Sequence, residues 1–146
     1  MTTPEQIVDY ARTWLGTRWV HQGRSERGID CAGLLVKTGQ NFDLPHTDVH
    51  GYGRTPDVQF MKAIRKHTLP VRPRHPVHGA IGIFNDTIMP CHTGIFAVDC
   101  NGRVTVIHSE SWPKRRVVEV GYDDSSQCLR DRLVDIRLFM GVTYGQ

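Results

Sequence analysis

Cys31 is the residue of this sequence whose setting best suits nucleophilic chemistry. It follows Asp30 at the predicted start of a helix, and the thiolate is the nucleophilic form of cysteine. A helix N-terminus lowers the pKa of a thiol because its unpaired N–H groups favour negative charge. A buried cysteine that packs as a small hydrophobe is the alternative interpretation. The polar, Gly-rich loop before Cys31, and Gly33 two residues after it, favour the nucleophile because they allow another chain to approach.

A nucleophilic cysteine needs a general base, and histidine is the usual one because its unperturbed pKa is about 6.5. His92 begins one predicted strand and His108 ends the next, so a hairpin between them would make the two neighbours, with His108 orienting His92. Two polar residues at the open end of a hairpin are the alternative. The other histidines fall in predicted loops or at a helix end, where a solvated side chain is the simpler interpretation: His21, His46, His50, His67, His75 and His78.

Helices are predicted in the first half of the chain. Thr3-Pro4-Glu5-Gln6 combines an N-cap, a proline at the first helical position and a capping-box glutamine, and apolar residues continue at helical spacing to about Leu15. A second helix is predicted to begin at Cys31, and a short third helix runs from Thr55-Pro56-Asp57 to about His67. The polar segments 17–29 and 43–56 are predicted to be loops.

Strands predominate after Gly79. Short apolar, β-branched runs cover residues 80–84, 93–98, 104–109, 116–120 and 133–139. Asn101-Gly102 predicts a tight hairpin between the second and third of these runs. The proline-spaced segment LPVRPRHPVHG before them cannot hold a helix or a central strand. Helices followed by strands predict an α+β domain with an antiparallel sheet.

Length and composition indicate a globular protein. The 146 residues fit one domain spanning residues 1–146, and 39% hydrophobic with 23% charged residues is typical of soluble proteins. No stretch approaches the roughly 20 apolar residues that a membrane span needs. The net charge of +3 is a mild excess that does not by itself indicate nucleic-acid binding. The N-terminal residues lack a basic segment followed by an apolar one, so synthesis in the cytoplasm without a signal peptide is expected.

The cysteines indicate neither a disulfide framework nor a metal site. The sequence has 4 of them at wide spacings, which is typical of a reducing compartment. Cys91 could join His75 and His78 around a metal, but the spacing fits no common zinc pattern. Cys100 and Cys128 are interpreted as incidental.

Four blocks of the sequence follow one another in a recognisable order: GTRWVHQG with GIDCAGLL, VHGAIGIF, HTGIFAV and VTVIHS. They resemble the blocks of the NlpC/P60 cysteine peptidases, in particular the short members encoded by tailed phages and gene transfer agents. In that family they read G-T-P-Y-x-x-G-G with G-x-D-C-S-G-L-V, then P-G-D before two hydrophobic residues and Phe, then His, a hydrophobic residue and G-I-Y, then a strand ending in His. Order and spacing agree over residues 5 to about 120.

The resemblance implies a papain-like fold, with N-terminal helices packed on an antiparallel β-sheet, and a Cys-His-His triad. Carried over residue by residue, Cys31 is the nucleophile, His92 the base and His108 the polar group that orients it. The resemblance further implies a substrate-binding and oxyanion region that comprises Asp30, Trp19, His21 and Gln22. In this region Asp30 helps to bind a free α-amine, and the Trp19–Gln22 loop supplies a donor to the oxyanion.

Three positions depart from the family pattern. Trp19 replaces a tyrosine that is expected to line the oxyanion site, and Ala32 replaces the serine after the nucleophile. HGAIG stands where the family has P-G-D. None of these departures touches the triad, but the first two bear on substrate choice.

The function implied by the resemblance is peptidoglycan endopeptidase, most often acting on the bond from D-γ-glutamate to diaminopimelate, with no cofactor. The expected partners are the stem peptide and other tail proteins of a phage-like particle, and the expected place of action is a phage or gene transfer agent tail at the bacterial cell wall. Two alternatives remain open: a structural tail-tip or hub component that retains the fold, and an amidase or acyltransferase that uses the same Cys-His pair.

Overall fold

The computed structural model describes residues 1–49, 51–52, 58–86, 89–124 and 128–145. The helices are α1 (Pro4–Arg12), α2 (Cys31–Asn41), α3 (Val58–Lys66) and α4 (Leu129–Arg132). The strands are β1 (Arg24–Ser25), β2 (Gly28–Ile29), β3 (Thr68–Pro70), β4 (Ile81–Asp86), β5 (Met89–Val98), β6 (Val104–Glu110), β7 (Arg116–Gly121) and β8 (Leu133–Phe139).

Six strands form one sheet in the order β3-β8-β4-β5-β6-β7, and every neighbouring pair is antiparallel. The hairpin predicted between β5 and β6 is present, with Val98 opposite Val104 and Gly102 at a φ of +80°. The strand β3, which enters the proline-rich segment, lies at the edge of the sheet. Proline is tolerated there because an edge strand has a neighbour on one side only, so the missing N–H need not break the sheet's hydrogen bonding. The predicted α+β class with an antiparallel sheet is therefore confirmed.

Apolar side chains cover both faces of the sheet because successive residues of a strand point to opposite sides. On one face, isoleucines of β4, β5 and β6 pack against α1, α2 and α3 in the larger core cluster. On the other face, a second cluster includes Phe84, Phe96 and Leu129, the last from α4. The sheet is thus the shared wall of two cores, which fixes the strands that carry the two histidines.

The helix α2 is set against the preceding loop at very short range. A Cβ atom added to Gly33 would lie 2.3 Å from the carbonyl oxygen of Gly23 and 2.7 Å from the Ile29 side chain. Only glycine allows backbone to approach backbone so closely. The first turn of α2, and Cys31 with it, is therefore placed by direct contact with the loop before it.

Several element boundaries differ from those expected. The helix α1 ends at Arg12 rather than near Leu15, because Gly16 adopts a φ of +86° and its N–H donates to Val117 in β7. The predicted loop 17–29 contains the short hairpin of β1 and β2. The strand β5 begins four residues before the predicted start at 93, because it pairs with β4 from Met89 onward, and His92 therefore lies within it.

Two further differences concern helices. The four-residue helix α4 was not expected, since so short a segment has no periodic pattern. The predicted start of the third helix, Thr55-Pro56-Asp57, lies outside the described residues, and α3 is described from Val58 onward.

Candidate active site

Cys31 begins α2 and is buried, with 6% of its surface exposed. It is not part of a disulfide. The hydroxyl of Thr93 donates to the Cys31 carbonyl oxygen at 3.4 Å, and that of Ser109 donates to the Ile29 carbonyl oxygen at 2.6 Å. Thr93 directly follows His92 and Ser109 directly follows His108. Each histidine strand therefore holds the backbone at the start of α2, which places Cys31 beside the strand segments that carry the two histidines.

The two histidine rings are joined by a hydrogen bond. His92 Nε2 and His108 Nδ1 lie 2.7 Å apart, and the rings meet edge to face with centroids 4.9 Å apart. Gly94 makes room for this contact, since an added Cβ there would lie 3.1 Å from the Cβ of His108. The proximity expected from the hairpin is therefore observed. Because Nε2 of His92 is engaged, Nδ1 is its nitrogen available for a thiol proton.

Both histidines are held in the neutral form at neutral pH. Burial, aided by the positive charge of Arg132, lowers the pKa of His92 to about 4. Burial also lowers the pKa of His108 well below its usual value, and His92 and Arg132 act in the same direction. A neutral imidazole is the form that accepts a proton, so the pair suits general base catalysis.

Asp30 connects the helix start to its surroundings through four hydrogen bonds. Its Oδ1 accepts the Gly33 N–H at 2.8 Å, as an N-cap, and the Arg24 guanidinium at 2.9 Å. Its Oδ2 accepts the Gln22 N–H at 2.8 Å and the Tyr52 hydroxyl at 2.5 Å. Both oxygens of this buried carboxylate are engaged within the chain. The role of Asp30 in amine binding stays a prediction, and the geometry gives the carboxylate a positioning task.

The Trp19–Gln22 loop contains a buried ring nitrogen that makes no hydrogen bond to any described residue. The Gln22 amide donates to the Tyr52 carbonyl oxygen at 2.8 Å and lies 3.4 Å from His21 Nε2, while the Trp19 ring stacks on the His21 ring. With Nε2 facing this amide donor, the His21 proton is on Nδ1, a buried atom with no hydrogen-bond partner among the described residues. An unpaired donor of this kind is what an oxyanion site requires.

Two residues of this region, Tyr52 and Arg24, were not among the predicted site residues. Tyr52 lies in the segment 43–56 that was predicted to be a surface connection, yet only 4% of it is exposed. Its position between two glycines in a polar loop is the signal that could have been noticed. Arg24 lies in a predicted loop, and its guanidinium contacts Asp30, Asp48 and the Tyr52 hydroxyl. A charged residue six positions before a helix cap carries no periodic signal.

The other candidate histidines have different partners or fall outside the description. His75 Nδ1 contacts the Pro73 carbonyl oxygen, and His78 Nδ1 accepts the Val98 N–H. His50 lies outside the described residues. Within the described ranges, no group of three His, Cys, Asp or Glu side chains is arranged to hold a metal ion. A separate search of the same ranges finds no helix of the length and hydrophobicity that would span a bilayer.

The structure is similar to solved structures that contain NlpC/P60 domains. The NlpC/p60 domain of the peptidoglycan hydrolase SagA matches at a TM-score of 0.61 and 18% identity, over 95% of this chain and all of that one. An NlpC/P60 family protein from Bacillus cereus ATCC 10987 matches at 0.67 and 16%, over 94% of this chain. NlpC1 from Trichomonas vaginalis matches at 0.67 and 18%, over 93% of this chain.

This chain spans 40% of the Bacillus cereus protein and 44% of the Trichomonas vaginalis protein. No protein-family model and no curated protein sequence matches the chain. At these identities the likeness establishes the architecture. The chain therefore has the NlpC/P60 fold, as the sequence blocks implied.

The lowered pKa values of His92 and His108 predict an acid-sensitive fold. Between the unfolded pKa of about 6.5 and the folded pKa of about 4 for His92, the unfolded chain binds more protons, so the free energy of unfolding falls as pH falls through this window. His108 acts in the same direction. Thermal denaturation between pH 7 and pH 4 measures the slope, which we expect to be clearly smaller in a His92→Gln/His108→Gln double variant.

His75→Gln is the matched control because His75 is exposed and should leave the slope unchanged. A double variant that loses stability on acidification as steeply as the wild type would contradict the assignment of two imidazoles that are neutral in the folded protein.

Proposed function

We propose that this chain is a cysteine peptidase that cleaves a peptide bond in the stem of bacterial peptidoglycan. The observation that carries the proposal is the hydrogen-bonded pair of neutral histidines, His92 and His108, on the strands that hold the start of the Cys31 helix. The NlpC/P60 fold supports the substrate class, since SagA, one of the proteins with a similar domain, is described as a peptidoglycan hydrolase.

The geometry of the pair supports the following reaction. His92 Nδ1 takes the thiol proton as the Cys31 sulfur attacks the scissile carbonyl carbon, and a sulfur–carbon bond forms. The carbon–nitrogen bond then breaks, and the imidazolium returns the proton to the leaving amine. Water next attacks the thioester while His92 accepts its proton, which releases the carboxylate product and regenerates the thiol. His108 keeps the His92 ring in place through the 2.7 Å bond between them.

The negative charge that develops on the carbonyl oxygen needs fixed donors. The backbone N–H of Cys31 is one such donor, and the buried Nδ1–H of His21 is the donor that we assign to the Trp19–Gln22 loop. The indole N–H of Trp19 can also donate, whereas the tyrosine that the family has at this position can donate and accept.

The proposed scissile bond and the proposed location in a phage-like tail rest on the sequence blocks. Their similarity to the family supports the bond from D-γ-glutamate to diaminopimelate as the scissile one. The likeness to the short members encoded by tailed phages and gene transfer agents supports action from the tail of a phage-like particle at the bacterial wall, in contact with other tail proteins.

An exposed cationic rim lies beside the Trp19–Gln22 loop and supports an acidic substrate. The rim comprises Arg18, Lys114, Arg115 and Arg116, all exposed. The backbone N–H of Trp19 donates to the Arg115 carbonyl oxygen at 2.9 Å. The backbones of Arg18 and Arg116 pair in an isolated antiparallel β-bridge. Within the part of the chain that the structure describes, none of the four side chains forms a salt bridge. A γ-glutamyl stem leaves its α-carboxylate free, which such cations would attract.

Replacement of the nucleophile tests the proposed activity. We expect Cys31→Ala to abolish the release of peptide fragments from purified murein while the circular dichroism spectrum is unchanged, because alanine is well tolerated at a helix start. Cys100→Ala, at an exposed cysteine in a turn, is the matched control and should retain wild-type hydrolysis.

Mass spectrometry of the fragments identifies the bond. Fragments with a new amine on diaminopimelate and a new γ-carboxylate on glutamate support the endopeptidase, whereas release of the whole stem from the glycan identifies an amidase. A wild-type protein that binds murein without cleaving it, or a Cys31→Ala variant that still cleaves it, contradicts the proposal.

Charge reversal on the rim tests the acidic substrate. We expect Arg18→Glu/Arg116→Glu to raise the KM for soluble stem-peptide fragments by about 3- to 10-fold with little change in kcat, because exposed charges contribute modestly to binding. The effect should shrink at high salt. Arg103→Glu/Lys62→Glu, at two exposed positions outside the rim, is the control because it changes the net charge by the same amount. An equal KM in both variants would contradict a role for the rim.

A further inference from the structure

Glu110 is a buried carboxylate that the proposed reaction does not yet use. It lies two residues after His108 on β6, so both side chains point to the same face of the sheet. Only 6% of Glu110 is exposed. Acidic residues are rarely buried this deeply unless their oxygens have partners. The partners of Glu110 therefore indicate what it does.

The two carboxylate oxygens of Glu110 face different groups. Oε1 accepts the Lys114 N–H at 3.0 Å, which ties the carboxylate to the loop between β6 and β7. Oε2 lies 3.8 Å from His108 Nε2. The carboxylate is thus anchored on one side and aimed at the histidine on the other.

The facing atom, His108 Nε2, is buried and makes no hydrogen bond with any described residue. Its other ring nitrogen is already bonded to His92. A buried ring nitrogen without a partner is unfavourable, and an anionic oxygen opposite it favours a proton on that nitrogen. Closing the gap from 3.8 Å to a hydrogen bond requires a movement of less than about 1 Å.

We propose that Glu110 is a positioning residue that fixes the tautomers of both histidines by accepting the Nε2–H of His108. This inference rests on the proposed function, because it explains how the base of that reaction is held ready.

The position of the proton on His108 determines the position of the proton on His92. With its proton on Nε2, His108 presents the lone pair of Nδ1 to His92, so His92 must donate through Nε2–H across the 2.7 Å contact. His92 Nδ1 then keeps its lone pair and can accept the thiol proton of Cys31. The opposite tautomer would place a proton on Nδ1 of His92 and block this step.

Glu110→Gln is a nearly isosteric test of this order. The amide oxygen should stay with the Lys114 N–H, so the NH₂ group would face His108 Nε2 and require a lone pair there. Both histidines would then shift to the Nδ1–H tautomer. We expect a loss in kcat of about 10²-fold with KM nearly unchanged, because His92 would begin the reaction as the wrong tautomer, with its proton on Nδ1.

Nitrogen-15 NMR of histidine-labelled protein reads the tautomers without reference to activity. In the wild type at pH 7 we expect Nε2–H on both His92 and His108, and in Glu110→Gln we expect Nδ1–H on both. Glu110→Asp retains the carboxylate and should retain the wild-type tautomers with part of kcat. Glu119→Gln, on the adjacent strand β7, removes a carboxylate that binds Arg12 and should leave tautomers and kcat unchanged.

The results separate this inference from the proposed function. Wild-type tautomers and wild-type kcat in Glu110→Gln overturn the role of Glu110, as does a Glu119→Gln variant that loses kcat to the same extent. Absence of murein hydrolysis by the wild-type protein contradicts the proposed function, and the NMR comparison still decides whether Glu110 sets the tautomers. If Glu110→Gln proves unstable, the spectrum of Glu110→Asp decides: Nδ1–H tautomers there overturn the inference.

Discussion

The arrangement of the site depends on the hydrogen bonds that the Asp30 carboxylate accepts. This carboxylate caps α2 through Gly33, holds Gln22 of the preceding loop, and binds Arg24 and Tyr52 from two further segments. Removing one partner of a buried ion pair such as Arg24–Asp30 costs about 3–5 kcal/mol. Because Cys31 is the next residue, its position is fixed from the loop side by Asp30 and from the sheet side by Thr93.

The histidine pair is governed by burial, which lowers the pKa values of both rings and so removes their charge. His108 is buried and His92 is half-buried, and their lowered pKa values keep both rings neutral. Neutral rings cost acid stability but supply a base that is ready at physiological pH. Asp30, by contrast, is held in place by four donors to its two oxygens. The site therefore combines a fixed carboxyl anchor with an uncharged proton acceptor.

Local patterns were sufficient to predict most elements from the sequence. The capping box at Thr3 starts α1, Asp30 starts α2, and Asn101-Gly102 forms the β5–β6 hairpin that makes His92 and His108 neighbours. Each of these signals depends on residues close together in the chain.

The unpredicted features depend on contacts that are distant in sequence. Tyr52 reaches Asp30 across 22 residues, and β5 extends beyond its apolar run because β4 pairs with it. Glu110 lies two residues after His108, but its role depends on which ring nitrogen of His108 has no other hydrogen bond. That nitrogen is Nε2, because Nδ1 is bonded to His92 on another strand. Sequence spacing could place the two histidines near each other but could not assign their protons.

The central claim is that Cys31 becomes covalently attached to the substrate. The direct measurement is mass spectrometry of the wild-type protein, acid-quenched during turnover of stem-peptide fragments and mapped after digestion. The account predicts an acyl group, with the mass of the fragment on the carbonyl side of the cleaved bond, on the peptide that contains Cys31. An acyl group on another residue, or continued turnover with Cys31 unmodified at every quench time, would contradict the account.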